Sequence, residues 1–149
     1  MSYERFVKAN LVKEVKPDSA QVSHQLKRAL KDLNTAKANL EIDRIWSLTI
    51  AYHAMLRAGR AFMFSKGYLP TTSNAHKTIV EFMKILLKGE YQETVAKFNR
   101  LRRRRHDFIY DSKNHVNFQE AKNALDTARK LINKIVSLVK KENPQKHLF

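Results

Sequence analysis

Five arginines stand within six positions, at Arg100 and Arg102 through Arg105, and His106 and Tyr110 follow them. Arginine presents a planar fork of donors that matches phosphate. Histidine exchanges protons near neutral pH, and tyrosine hydrogen-bonds or stacks on a base. Such groups are suited to hold a phosphodiester and to move protons around it. A helix sorts them, because each residue turns the chain by about 100°. Arg100, Arg103, Arg104, Asp107 and Asp111 share one face of mixed sign, which reads as solvated surface. The opposite face carries Tyr91, Phe98, Leu101, Phe108 and Ile109, with Arg105 in its middle. A charge in that position must be ion-paired or must face a cleft. Two readings follow, an internal pair with Asp or Glu and an arginine turned toward an anion-binding groove. Arg102, His106 and Tyr110 recur at i, i+4 and i+8, so they line one edge of the apolar face.

The helix that positions these groups spans about 90–111. Around it the sequence writes an all-α chain. Asp18 or Ser19 caps a helix to about residue 41, with an apolar row of Val22, Leu26, Ala29, Leu33, Ala36 and Leu40. Asp43 caps a second helix to Phe64, and Gly67 stands where a left-handed C-cap favours glycine. This second helix is apolar around most of its surface and is expected at the centre, with His53 and Arg57 assigned to packing. Its Ala51, Ala54, Ala58, Gly59 and Ala61 leave room for a close neighbour. Leu69 to Asn74 reads as a loop into a helix over about 74–87, which Gly89 ends. Asn117 and Glu120 form a capping box for a last helix over about 118–142. Residues 1–16 are expected as an N-terminal arm or short helix, and 144–149 as a frayed tail.

Composition narrows the class. The 149 residues suit a single domain covering 1–149. Three glycines and three prolines supply too few turns for a sandwich or barrel. With no cysteine there is neither a disulfide framework nor a thiolate metal site. No metal and no cofactor is expected, because no HExxH pattern and no Gly-rich phosphate loop is present. No run of ~20 apolar residues suggests a membrane span, and the start lacks the apolar core of a signal peptide, so a cytoplasmic location is expected. Lys and Arg total 29 against 14 acids, a formal charge of +15, which attracts polyanions.

Several segments resemble HEPN-domain proteins. Arg105 to Asp111 is similar to the family's Arg-(Asn/His)-x-x-x-Tyr-Asp segment. Ala51 to Ala61 is similar to its Tyr-Tyr-Ala-Met-Phe-x-Ala-x-Arg-Ala helix. Ser65-Lys66-Gly67-Tyr68 matches the end of that helix, and His76-Lys77 the start of the next. The likeness extends over about residues 20–140. It implies an antiparallel up-and-down bundle of four to five helices that commonly forms a homodimer, with the arginine helix lining a cleft near the dimer axis. Many members are metal-independent endoribonucleases, often toxins, that use Arg-x(4–6)-His. Others accompany a minimal nucleotidyltransferase, and some bind ligand without cleaving it. Arg100 and His106 satisfy the ribonuclease spacing, yet they lie about 120° apart on the wheel. Matching Arg105 to the motif arginine places Tyr110 at the usual histidine position, where an ordinary pKa of about 10 suits acid–base work poorly.

The leading expectation is a HEPN protein that binds nucleotide or RNA and works with a nucleotidyltransferase partner in a toxin–antitoxin-like system. Arg100, Arg102, Arg105 and Tyr110 are its binding candidates. The resemblance adds Tyr52, Arg60 and His76 to the cleft lining. The first alternative is a metal-independent endoribonuclease using Arg105, His106 and Tyr110. The second is a non-catalytic helical adaptor.

Overall fold

The computed structural model describes residues 3–110 and 115–142, and in the last turns of the arginine helix it leaves the side chains of His106, Phe108, Ile109 and Tyr110 outside the described set. Six helices and a two-stranded ribbon follow in the order α1 (Glu4–Lys8), β1 (Val12–Glu14), α2 (Ser19–Asn39), α3 (Arg44–Ser65), β2 (Tyr68–Pro70), α4 (Ala75–Leu86), a 3₁₀ turn (Gly89–Tyr91), α5 (Gln92–Tyr110) and α6 (Phe118–Glu142). The all-α class and the helical bundle expected from the sequence are therefore observed. No helix among the described residues is long and apolar enough to cross a membrane.

The aspartate caps act where the sequence puts them. Of the expected Asn117–Glu120 box the Asn117 half forms, while the Glu120 carboxylate instead meets Arg104. The Asp18 carboxylate accepts from the Ala20 and Gln21 amides, and that of Asp43 accepts from the Trp46 amide. The Glu120 amide donates to the Asn117 side chain at 2.8 Å. Gly67 ends α3 with φ +92, a left-handed conformation that costs glycine little. The expected apolar row of α2 is buried from Val22 to Leu40, and α3 runs through the core beside it. The Ser47 hydroxyl donates to the Ala36 carbonyl at 2.7 Å and fixes the α2–α3 hairpin. Lys66, just past the end of α3, pairs with Glu142 at the end of α6, so those two helices run in the same direction.

The central helix is not covered everywhere. At its start Ile45 and Trp46 are exposed, and with Ile42 in the preceding turn they form an apolar patch.

One expectation needs correction. The N-terminal segment, expected as an arm or short helix, holds a short helix and a strand. After α1 it forms β1, which pairs antiparallel with β2, Val12 opposite Pro70 and Glu14 opposite Tyr68. The segment expected as a loop from Leu69 therefore begins as a strand. A three-residue pairing between distant segments leaves no periodic trace, and its stability comes from ladder hydrogen bonds and from the rings it brings together. Tyr3 stacks on Phe82 of α4 at 4.7 Å, and Phe6 and Tyr68 close on the same ring. The arm thus presses α4 against the bundle. The expected tail at 144–149 lies outside the described residues.

One turn before Phe82, α4 passes close to α3 at Gly59. A Cβ at Gly59 would stand 2.6 Å from Ile79 Cγ2, closer than carbon atoms pack. Gly59→Ala gains about 1 kcal/mol of helix propensity but overpacks this contact, which typically costs about 1–3 kcal/mol. We expect a net loss of about 1 kcal/mol in urea unfolding. A gain in stability would show that α4 yields freely at this crossing.

Candidate anion-binding site

α4 is held so that its first turn meets α3 beside α5. There the hydroxyl of Tyr52, fully buried, lies 3.0 Å from His76 Nδ1. His53 stands edge-on to both rings, 5.6 Å from Tyr52 and 6.3 Å from His76 between centroids. Phe98 of α5 backs Tyr52 at 5.9 Å. Three polar rings from two helices thus meet over an apolar floor.

Two arginines of α5 set the electrostatics. Burial holds His76 well below its ordinary pKa, and the charges of Arg105, His53 and Arg102 lower it further, to about 4. His53 is lowered as well, first by partial desolvation and then by Arg105 and Arg57, while Asp32 opposes the shift. Burial pushes the Tyr52 phenol up to about 12, against the pull of Arg105 and Arg102. At neutral pH the site therefore holds neutral imidazoles and a protonated phenol beside two guanidinium charges. Where the Tyr52 hydroxyl donates to Nδ1, the single proton of neutral His76 sits on Nε2 and is a donor.

The arginines of α5 divide by side. Arg104, half-buried, pairs with Glu120 of α6 and donates to the His115 carbonyl. Arg100 pairs with Glu93 at 3.2 Å. Their face, expected as solvated surface, is in part a seam joining α5 to α6. Arg102 donates from Nε to neutral Asn99 at 3.0 Å. Among the described residues no carboxylate lies within ion-pair distance of Arg102 or Arg105.

Arg105 does not sit inside the apolar seam. Along its stripe Val95 and Phe98 are buried, Leu101 is half-buried and Arg105 is exposed. The stripe loses its cover as α5 proceeds, so the internal ion pair is not formed. Its charge nevertheless reaches all three rings.

A protein-family model for the HEPN domain matches residues 22–141. The chain belongs to the HEPN family. Comparison with curated proteins gave no match. Membership sets this HEPN chain among domains concerned with nucleotides and RNA. Of the residues singled out in its sequence, Tyr52 and His76 meet directly, with Arg102 and Arg105 beside them. Arg60 lies farther along α3, and Arg100 is turned away into its pair with Glu93. The side chains of His106 and Tyr110 lie outside the described residues. His53 and Arg57 had been assigned to packing, yet His53 completes the ring cluster. Its signal was available, since His53 directly follows Tyr52 in the segment that resembles the family's central helix.

His76 gives this HEPN domain an acid-labile contact. The folded state favours the neutral ring, so the unfolded chain binds the proton first as pH falls. The stability linked to neutral His76 is intact above the ordinary value of 6.5 and is lost as pH drops toward about 4. Nuclear magnetic resonance titration should place the His76 midpoint near 4, and His76→Asn should flatten the acid limb of a stability–pH curve. A midpoint at or above 6.5 would contradict the desolvated site.

Proposed function

We propose that this HEPN protein binds the phosphate backbone of RNA, or the phosphate of a nucleotide, at the Tyr52–His53–His76 cluster. The observation that carries the reading is the pair of α5 arginines, Arg102 and Arg105, which have no acidic partner among the described residues and stand beside neutral donor rings. A guanidinium beside partly desolvated groups gains most from an anion, because charge-assisted hydrogen bonds are the strong ones. The net charge of +15 supports the same ligand class by drawing polyanions in. The finer reading, a homodimer that acts beside a small nucleotidyltransferase in a toxin–antitoxin-like pair, rests on the family resemblance.

Arg102→Ala and Arg105→Ala should each weaken binding of a short single-stranded RNA about tenfold or more, in line with ~1.5–3 kcal/mol for a hydrogen bond to a charge. Each should also reduce the steepness of the salt dependence, by about 0.7 in slope. Affinity and salt slope that survive loss of both guanidiniums would sink the reading.

One feature favours cleavage as a second reading. Two imidazoles, both held neutral, lie 6.3 Å apart at the cationic rim. The neutral His53 imidazole would accept the proton of an attacking 2′-hydroxyl, while the His76 Nε2–H and a neighbouring guanidinium stabilise charge building on the phosphate. The bond from phosphorus to the 5′-oxygen breaks, and that oxygen leaves with a proton from His53 or water. RNA incubated with the protein in EDTA would then be cut to a cyclic phosphate, with losses of about 100-fold in His76→Ala or His53→Ala. Loss confined to His106→Ala would move the acid–base role to α5, and equal cutting by all variants would assign it to a contaminant.

A further inference from the structure

The ring cluster does not close the site. His53 and His76 also line one end of a groove of about 730 Å³, bounded by α2, α3 and the start of α4. That volume lies within the ~300–1,000 Å³ of small-ligand sites. Its floor is apolar, from Leu56, Ala61 and Ile79, all buried, to half-buried Phe64 and Leu69. Its walls carry Gln21, Gln25, Arg57 and Arg60. On α3 the positions 53, 57, 60 and 64 recur at steps of three and four, so they trace one stripe about 16 Å long from the rings to Phe64.

Arg57 and Arg60 can only donate, and one hydrogen bond turns Gln25 the same way. Arg57 donates from Nη1 to Gln25 Oε1 at 2.8 Å. Arginine has nothing to accept with, so the Gln25 oxygen must face it. The Gln25 amide NH₂ is thereby turned to the other side, without an acceptor among the described residues. Asp32 holds Arg57 at 3.3 Å and Arg28 at 3.1 Å, which anchors the network on α2. Arg60 is exposed and has no acidic partner among the described residues.

We infer that this groove is a nucleoside subsite, which seats the base of the nucleotide whose phosphate lies at the His53–His76 end. The inference rests on the phosphate reading above and adds to it what the ligand must carry. An apolar floor with an aromatic ring at its far end suits the face of a base. A wall of donors suits ring nitrogens and carbonyl oxygens, and guanine offers both together. A base that is paired and stacked in a duplex has no free face to insert. The ligand is therefore a nucleotide unit that is free or within a single strand, and a base bearing a carbonyl is preferred.

The test compares guanosine 5′-monophosphate, adenosine 5′-monophosphate and ribose 5-phosphate by titration calorimetry at low salt on the full chain. The guanine nucleotide should bind at least tenfold more tightly than ribose 5-phosphate, and several-fold more tightly than the adenine nucleotide. Ala75→Trp fills the groove from the half-buried first residue of α4 and should abolish the gain over ribose 5-phosphate while leaving ribose 5-phosphate binding unchanged. Gln25→Ala, on the helix surface, should narrow the guanine–adenine difference if Ala75→Trp fails to fold. A single-stranded oligonucleotide should bind more tightly than a blunt duplex of the same sequence, because only an unpaired base can enter the groove. Comparing that strand with guanosine 5′-monophosphate distinguishes a strand from a free nucleotide as the source. Equal affinity for ribose 5-phosphate and both nucleotides overturns the subsite and leaves the phosphate reading standing. Absence of binding by ribose 5-phosphate and by RNA together overturns the phosphate reading itself.

Discussion

The close passage of α4 over α3 at Gly59 is the constraint on which the site depends. Ile79 occupies the space a side chain would fill. Ile79 and His76 are three residues apart and share a face of α4, just as Gly59 and Tyr52, seven apart, share a face of α3. Seating Ile79 at the glycine therefore carries His76 toward Tyr52. Phe82, one turn further along α4, packs into Tyr3, Phe6 and Tyr68, so the N-terminal arm also holds the helix in place. One close contact and one aromatic clasp fix the position of a histidine whose own hydrogen bond is worth only about 1 kcal/mol.

Charge is then distributed by what α5 meets. Toward α6 its arginines find acids, and Arg104–Glu120 is half-buried, so it serves as a structural tie between the two helices. Toward α3 and α4 the neighbours are a phenol and two imidazoles, and all three are neutral at pH 7. Glu120 ties α5 to α6, whereas among the described residues no carboxylate lies within ion-pair distance of Arg102 or Arg105.

The helices were legible because their signals are local. Apolar periodicity, the side chains of Asp18, Asp43 and Asn117 and the positive φ of Gly67 each act within a few residues of the boundary they set. The β1–β2 ribbon was not legible, because it joins residues more than fifty positions apart through backbone groups that every sequence has. The helical wheel correctly put Arg105 on the stripe of Phe98. It could not report that the stripe loses its cover before Arg105 is reached, since cover depends on the neighbouring helix. Nor could it pair residues across helices. Tyr52 and His76 entered on resemblance alone. His53 was set aside because an apolar helix surface argues for packing, whereas its ring packs edge-on to the other two and remains open to solvent.

The same geometry explains why the imidazoles are neutral and what an anion changes. Desolvation is the first cause of the lowered pKa of His53 and His76, and the Arg105 charge is the second for both. A phosphate between the guanidiniums and the rings cancels the second cause and replaces it with attraction. Protons then bind the rings more readily, and by linkage a protonated ring holds the phosphate more tightly. Tyr52 takes no part in that exchange, because its hydroxyl keeps its proton until about pH 12. It acts as the fixed partner against which His76 is oriented. Under the phosphate reading proposed above, a buried phenol behind an imidazole, with guanidinium charge in front, makes affinity for the anion rise as pH falls.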